Sequence, residues 1–303
     1  MDTRFWGPSG WALLHLIAAT PIETRRQAAV KEYFELLEYT LPCKFCRASF
    51  HDYIELQPLT QQIVASTDLF SRWLYDIHNR VNAKLRGQGL LTTADPPYGE
   101  IKAKYKAMQK NLCATTPLLG WDFLTSVAFS TPDRGFKALP MADTPENCNH
   151  LDLATRNRYN LLTRNERIAK LKRWWALIPA ILPCSTWRDH WTAATISGVQ
   201  SQVQVPLQKG HEAMMKWLYR IEEQVCAGLR CPTPHPSLPA MKKEASAFES
   251  NCGRTNLGKT CRTRKVRQRR QAMSRRVRRL RTLVAAAPGH NRAQDTASAD
   301  SGA

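Results

Sequence analysis

The sequence has no apolar run long enough to cross a bilayer. The longest stretch, Trp174 to Leu182, is far short of the roughly 20 residues a spanning helix needs, and Pro179 interrupts it. The opening residues, Met1 to Pro8, lack a basic segment followed by an apolar one, so no cleavable signal peptide is expected and the chain reads as soluble. Only one CxxC is present, and the nine cysteines are odd in number, which favours thiol chemistry over a secreted disulfide scaffold. Acidic residues are missing from Cys252 to Leu283, a stretch that holds 13 Lys and Arg. Of the formal charge of +19, about +6 is therefore left for everything else, and the basicity belongs to a tail.

What is present suffices for a core: 303 residues, 43% of them apolar, with nine tryptophans. Residues 1 to 110 read as four helices plus a short fifth. Trp11, Leu14, His15 and Ala18 share one helical face, and Val30, Tyr33, Phe34, Leu37 and Leu41 keep the same spacing up to Pro42, where a helix must end or restart. A third pattern starts at Cys43 and runs through Phe50, Tyr53 and Ile54. Asp68 is the expected N-cap of a fourth over Leu69 to Leu85. Gly87 to Tyr98 reads as a turn, followed by the short helix from Glu100 to Met108.

Three blocks recur in the same order further along. Gly10-Trp11-Ala-Leu-Leu14 returns as Gly120-Trp121-Asp-Phe-Leu124, and Leu41-Pro42-Cys43 with Arg47 and Phe50 as Leu182-Pro183-Cys184 with Arg188 and Trp191. The third, Arg72-Trp-Leu-Tyr to Val81, returns as Lys216-Trp-Leu-Tyr to Val225. Ordered recurrence predicts an internal duplication, with one larger helical domain as the bland alternative. The expected organisation is an all-α chain: a bundle over 1–110, a degenerate bundle over 111–231, and a Pro-rich linker with a basic, largely disordered tail over 232–303.

Cys43-Lys-Phe-Cys46 follows a proline and opens a helix, where backbone amides, Lys44 and Arg47 favour a thiolate. Alone, a CxxC is also compatible with half a zinc site, whose remaining ligands would have to come from His51, Cys226 or Cys231. Trp11 and His15, four apart, can present an aromatic plane and a ring nitrogen to one flat ligand, and His78 with Asn82 repeat the arrangement near Lys84. Such groups suit adenine, ribose and pyrophosphate; an ordinary core for the first pair and a solvated face for the second are the competing readings.

Taken together, Phe5-Trp6-Gly7-Pro8-Ser9-Gly10-Trp11 with His15, Leu41-Pro42-Cys43-Lys-Phe-Cys46, Trp73, and His78-Asn79-Arg-Val81-Asn82-Ala-Lys84-Leu85 resemble the Erv/ALR family of FAD-linked sulfhydryl oxidases. The resemblance implies a helical FAD-binding module in which Cys46 faces the flavin and Cys43 exchanges with incoming thiols. Substrate dithiols would reduce the pair, and oxygen would accept the electrons as hydrogen peroxide. It also implies cofactor contacts from Gly7, Trp11, His15, His78, Asn79, Val81, Asn82, Lys84 and Tyr105. Pro97-Tyr98-Gly99-Glu100 and Ile101 to Tyr105 resemble the version found in large DNA viruses, which points to a host cytoplasm, a viral factory or a virion. Two departures stand out: Tyr75 replaces a cysteine that many members bridge, and Ala19-Thr20 replace an aromatic pair.

The second copy has Trp187 where Cys46 stands, Thr125 for His15, and Glu222-Glu223 for His78-Asn79, so one FAD per chain is expected, and the family resemblance implies an intramolecular pseudo-dimer. Shuttle cysteines of the family sit on mobile segments; the pairs Cys226 with Cys231 and Cys252 with Cys261 are the candidates, against a structural bridge and free thiols. The tail through Arg281 is dense enough to bind nucleic acid or an acidic partner. The rival to an oxidase is a catalytically idle virion or nucleic-acid-binding protein on the same scaffold.

Overall fold

Every regular element among the described residues is helical. The computed structural model describes residues 1–110, 112, 117–196 and 202–250, all within one unit. In the first half, α1 (Thr3–Ala18) is capped by Asp2, whose carboxylate accepts from the Arg4 amide at 3.0 Å. The single helix expected up to Pro42 is instead two, α2 (Thr24–Glu35) and α3 (Leu37–Thr40). The break has a local cause: the Leu36 carbonyl accepts from the Tyr39 amide, the Thr40 amide and the Thr40 hydroxyl, which tightens the last turn. Next come α4 (Lys44–Leu56), the short α5 (Gln61–Ala65), α6 (Thr67–Gly87) and α7 (Tyr98–Lys110). Ser66, not Asp68, caps α6 by accepting from the Leu69 amide; Asp68 lies in the first turn and pairs with Lys102 at 2.9 Å.

The second half runs through α8 (Trp121–Phe129), α9 (Leu153–Arg158), α10 (Arg164–Ile181), α11 (Ser185–Ile196), α12 (Gln204–Lys209) and α13 (His211–Gly228). A capping box of Thr163 and Glu166 starts α10. No helix among the described residues is long and apolar enough to cross a membrane.

Residues 232–250 depart from the expected linker, because they have apolar side chains to bury. α14 (Leu238–Ala247) starts with Ser237 as N-cap and Pro239 in its first turn, and it buries Met241 and Ala245. Phe248 then stacks on Phe5 with centroids 4.8 Å apart, and the Asp2 amide donates to the Phe248 carbonyl at 2.8 Å. The basic stretch 252–283 lies outside the described residues.

Contacts inside the halves echo the sequence repeat. Phe34 meets Trp73 edge-on at 6.1 Å, and Trp175 meets Trp217 edge-on at 5.3 Å. Arg47 donates to the Leu41 carbonyl at 2.9 Å, and Arg188 to the Leu182 carbonyl at 3.0 Å.

The halves pack through α1 on α8 and α2 on α10. Gly10 lies against Phe123, and Gly120 against Leu13, so each glycine faces the position that the repeat assigns to the other's neighbour. On α2 and α10, residues 141 apart meet directly: Tyr33 stacks on Trp174 at 5.1 Å, and Arg173 grips Glu32 through two 2.5 Å bonds. Tyr33 and Trp174 are fully buried, and each such side chain contributes about 2–3 kcal/mol.

A Cβ on Gly120 would sit 2.6 Å from Leu13 Cδ2, and the residue has φ +99°, so two costs coincide there. Gly120→Ala is expected to lower stability by about 3 kcal/mol, and Gly10→Ala, where the approach is 3.2 Å, by about 1 kcal/mol. A urea midpoint for Gly120→Ala equal to the parent's would contradict the close-approach argument.

Candidate redox and cofactor site

Pro42 closes α3 and Cys43 serves as the extended N-cap of α4, with φ −130° and ψ 126°. The Cys46 and Arg47 amides both donate to the Cys43 carbonyl at 3.0 Å, so the first turn of the helix brings the two thiols together at its N-terminus. Burial opposes ionisation of Cys43, but the hydrogen bond from Cys46, the Met1 amino group and Arg47 bring its thiol down to about 6. The Cys46 thiol is correspondingly pushed up by its bond to Cys43 and by burial. The two share one proton, as a dithiol poised for exchange does.

Cys43 is only 1% exposed, whereas Cys46 is half-buried. The Pro42 carbonyl beside Cys43 accepts from the Ser130 hydroxyl at 3.4 Å and from the Met1 amino group at 3.4 Å, and that amino group also donates to Ser250 Oγ at 3.0 Å. The cysteine expected to receive incoming thiols therefore lies beneath a cover, a feature for which the sequence carried no signal.

The expected cofactor residues converge from α1, α6 and α7. Trp11 and His78 stack with centroids 3.9 Å apart and planes 9° from parallel. His15 Nε2 lies 3.0 Å from His78 Nδ1, and the His15 ring stacks on Tyr105 at 5.0 Å. Burial first, then the charge of His78 and Lys104, lowers His15 to about 3; burial lowers His78 to about 4. Both rings are therefore neutral at pH 7 and able to donate and accept at once. The Tyr105 phenol is pushed up to about 12 by burial and stays protonated.

Asn82 donates to Asp95 at 2.7 Å, and Asp95 also pairs with Arg86 at 2.6 Å. Lys84 reaches from α6 to α4, where it bonds Ser49 Oγ and, at 3.4 Å, the Phe45 carbonyl; its charge also favours the Cys46 thiolate. Asn79 and Val81 are half-buried on α6, and Gly7 is buried although a Cβ there would meet nothing within 4 Å. Two ring nitrogens, aromatic planes, an amide, a lysine and open space beside a glycine fit a flat aromatic ligand with a phosphate-bearing arm. Asp95 and Ser49 carried no sequence signal: one lies in the loop after α6, the other on α4, and only folding brings them to Asn82 and Lys84.

The corresponding region of the second half is closed. Cys184 is disulfide-bonded, Trp187 is buried, Trp121 and Trp191 stack at 6.0 Å, and buried Glu222 holds buried His235 at 2.7 Å. Cys226 and Cys231 are free and in contact at the end of α13, the first buried and the second half-buried. Cys252 and Cys261 lie outside the described residues.

The two histidines carry a pH signature. Their folded pKa values lie below 6.5, so the unfolded chain takes up protons first, and stability must fall from about pH 6.5 downward and level off near the folded values of about 3 and 4. The ligand-free protein is expected to lose several kcal/mol over that range, about 8 kcal/mol at most, with His15→Gln flattening the profile. Parallel urea-derived profiles for parent and variant would count against a buried neutral His15.

Residues 8–106 match the model of the Erv1 / Alr family. The chain is 35% identical over 98 residues to a protein of Invertebrate iridescent virus 6 named as an FAD-linked sulfhydryl oxidase, covering 30% of this chain and 87% of that protein. It is 34% identical over 85 residues to one so named from Acanthamoeba polyphaga mimivirus, covering 27% of this chain and 59% of the relative. It is also 34% identical over 89 residues to the mitochondrial FAD-linked sulfhydryl oxidase of Saccharomyces cerevisiae, covering 28% and 45%. The chain thus spans about half the length of the mimivirus and yeast relatives. No solved structure matches it significantly. With its single CxxC opening α4 and its paired histidines on α1 and α6, the chain belongs to the Erv1 / Alr family.

Proposed function

We propose that this protein is an FAD-dependent thiol oxidase that makes disulfides in protein substrates. The observation that carries the reading is Lys84, which belongs to the cofactor-binding set on α6 yet lands on α4 next to Cys46, so that dithiol and cofactor slot share a wall. A substrate thiolate attacks Cys43 Sγ, the Cys43–Cys46 bond breaks, and Cys46 leaves as a thiolate. The second substrate thiol then attacks the mixed disulfide, releases an oxidised substrate and leaves the pair holding two electrons. Gly7, Trp11, His15, His78, Asn79, Val81, Asn82, Lys84 and Tyr105 would hold FAD, which would supply the acceptor for those two electrons, with oxygen as the final acceptor and hydrogen peroxide as the product. The lowered Cys43 thiol makes it a good leaving group in the second exchange, and the segment Phe248 to Ser250 must shift for a substrate to reach it.

Purified protein is expected to be yellow, with one flavin per chain and oxygen consumption driven by dithiothreitol. Cys46→Ser should keep the flavin and lose at least a hundredfold in oxygen uptake, about 2.7 kcal/mol or more of activation free energy. Colourless protein, or full activity in Cys46→Ser, would refute the reading.

The second half is proposed as a degenerate partner bundle, and Cys226 with Cys231 and Cys252 with Cys261 as the pairs that deliver electrons. Support for the partner bundle comes from the reciprocal contacts of Gly10 with Phe123 and Gly120 with Leu13, and from Glu32 meeting Arg173 at equivalent positions. Two identical bundles would set like charges face to face at that point; this chain sets opposite ones. Glu32→Arg should therefore lower the urea midpoint and Glu32→Arg with Arg173→Glu should restore it, within the roughly 1 kcal/mol that an exposed pair is worth. Absence of coupling between the two would remove this support. Viral relatives make a host cytoplasm or viral factory the proposed setting, and the 13 basic residues of 252–283 make that stretch a proposed polyanion-binding arm.

A further inference from the structure

Arg47 is the charged residue that follows the redox pair, and it is 5% exposed. Its Nη1 donates to the Leu41 carbonyl at 2.9 Å, and its Nη2 donates to Asn160 Oδ1 at 2.7 Å. Asn160 comes from the second half, after α9, and is 7% exposed with φ +58°, a left-handed conformation that Asn adopts more readily than most residues. Its own Nδ2 donates to the Leu139 carbonyl at 2.7 Å, and that carbonyl also accepts from Lys44 Nζ at 3.4 Å. One asparagine and one carbonyl of the second half thus tie down Arg47 directly and Lys44 through the shared acceptor.

The other copy shows what a different choice looks like. Arg188, the counterpart of Arg47, makes the same bond to its own Leu182 carbonyl, but its Nη2 lies 3.8 Å from the Glu23 carboxylate, beside a cysteine locked in a disulfide. Where the thiol must ionise, the distal partner of the arginine is a neutral amide; where it does not, the partner is an anion. A second buried guanidinium, Arg167, adds its charge next to Arg47, and among the described residues no carboxylate forms an ion pair with either.

We propose that Asn160 is a positioning residue for the redox pair, its amide fixing the Arg47 guanidinium beside Cys43 and Cys46 without cancelling the charge, a role that rests on the oxidase reading above. The degenerate half then contributes to the chemistry of the active one. The groups that set the field at the thiols are Cys46, the Met1 amino group, Lys44, Arg47, Lys84 and, behind them, Arg167. The acidic groups on neighbouring elements are engaged elsewhere: Glu38 with His51 at 2.8 Å, and Asp52 with Arg158 at 3.2 Å. Removing the amide frees Arg47 to swing from the thiols, and replacing it by a carboxylate neutralises the guanidinium in place; both make a Cys43 thiolate harder to form.

The test uses the full chain, reduced and held without oxygen, with iodoacetamide alkylation at Cys43 followed against pH by peptide mass. Asn160→Gly keeps the left-handed backbone and removes the amide; Asn160→Asp keeps the shape and adds the charge. The alkylation midpoint is expected to rise in both, more in Asn160→Asp, with a rate at pH 6 at least threefold below the parent's. Coincident pH profiles for parent and both variants overturn the proposal. Because the readout is thiol ionisation and not oxygen uptake, an oxidase reading that fails on flavin content leaves this result to stand or fall by itself. Should Asn160→Gly fail to fold, Asn160→Asp alone decides between a raised midpoint and an unchanged one.

Discussion

The distance at which α1 can pass α8 governs the rest of the molecule. Gly10 and Gly120 present bare backbone to Phe123 and Leu13, and interiors packed as densely as crystals leave no slack for a methyl group there. With that approach fixed, α2 and α10 come near enough for Tyr33 to stack on Trp174. The segments before and after α9 then reach the N-terminus of α4, where Leu139 and Asn160 meet Lys44 and Arg47. A backbone contact thus sets the charge environment of a thiol pair from a different helix. Packing and chemistry are here two ends of one chain of contacts.

Burying several cations beside a dithiol is costly, because an unpaired charge taken out of water loses several kcal/mol of hydration. The fold limits the cost by giving the two Nη atoms of Arg47 neutral acceptors, a carbonyl and an amide, which leave its net charge in place. The proposed cofactor slot follows the opposite policy. His15 and His78 are uncharged because burial strips their protons, and so stack with Trp11 and Tyr105 as aromatic rings with polar edges. One end of the site is kept positive and the other neutral, and Lys84 stands at the boundary.

Much of this was legible in the sequence. The helices of the first half, the CxxC at a helix start and the repeat are all local or periodic signals, and apolar spacing reports them directly. The convergence of Trp11, His15, His78 and Tyr105 was legible only as a joint pattern, since each residue alone reads as ordinary core. What stayed hidden depends on contacts distant in sequence. Ser66 outcompeted Asp68 as a cap by one turn's choice of side chain, and α14 was masked by its prolines, which mark the start of a packed helix and not a linker. Asn160 had no sequence signature at all: its value comes from lying 113 residues from the arginine it holds.

The contact between Met1 and Ser250 spans 249 residues and lies over the Pro42–Cys43 bond. Its consequence concerns the order of events during synthesis. The helices that build the dithiol take up roughly a hundred residues, about 5–20 seconds of translation at usual rates. The cover over Cys43 can form only after Phe248 and Ser250 have been made and docked. For that interval the nascent chain carries an unshielded thiol, so the window in which it is open to oxidation or mispairing is set by the translation time of the second half.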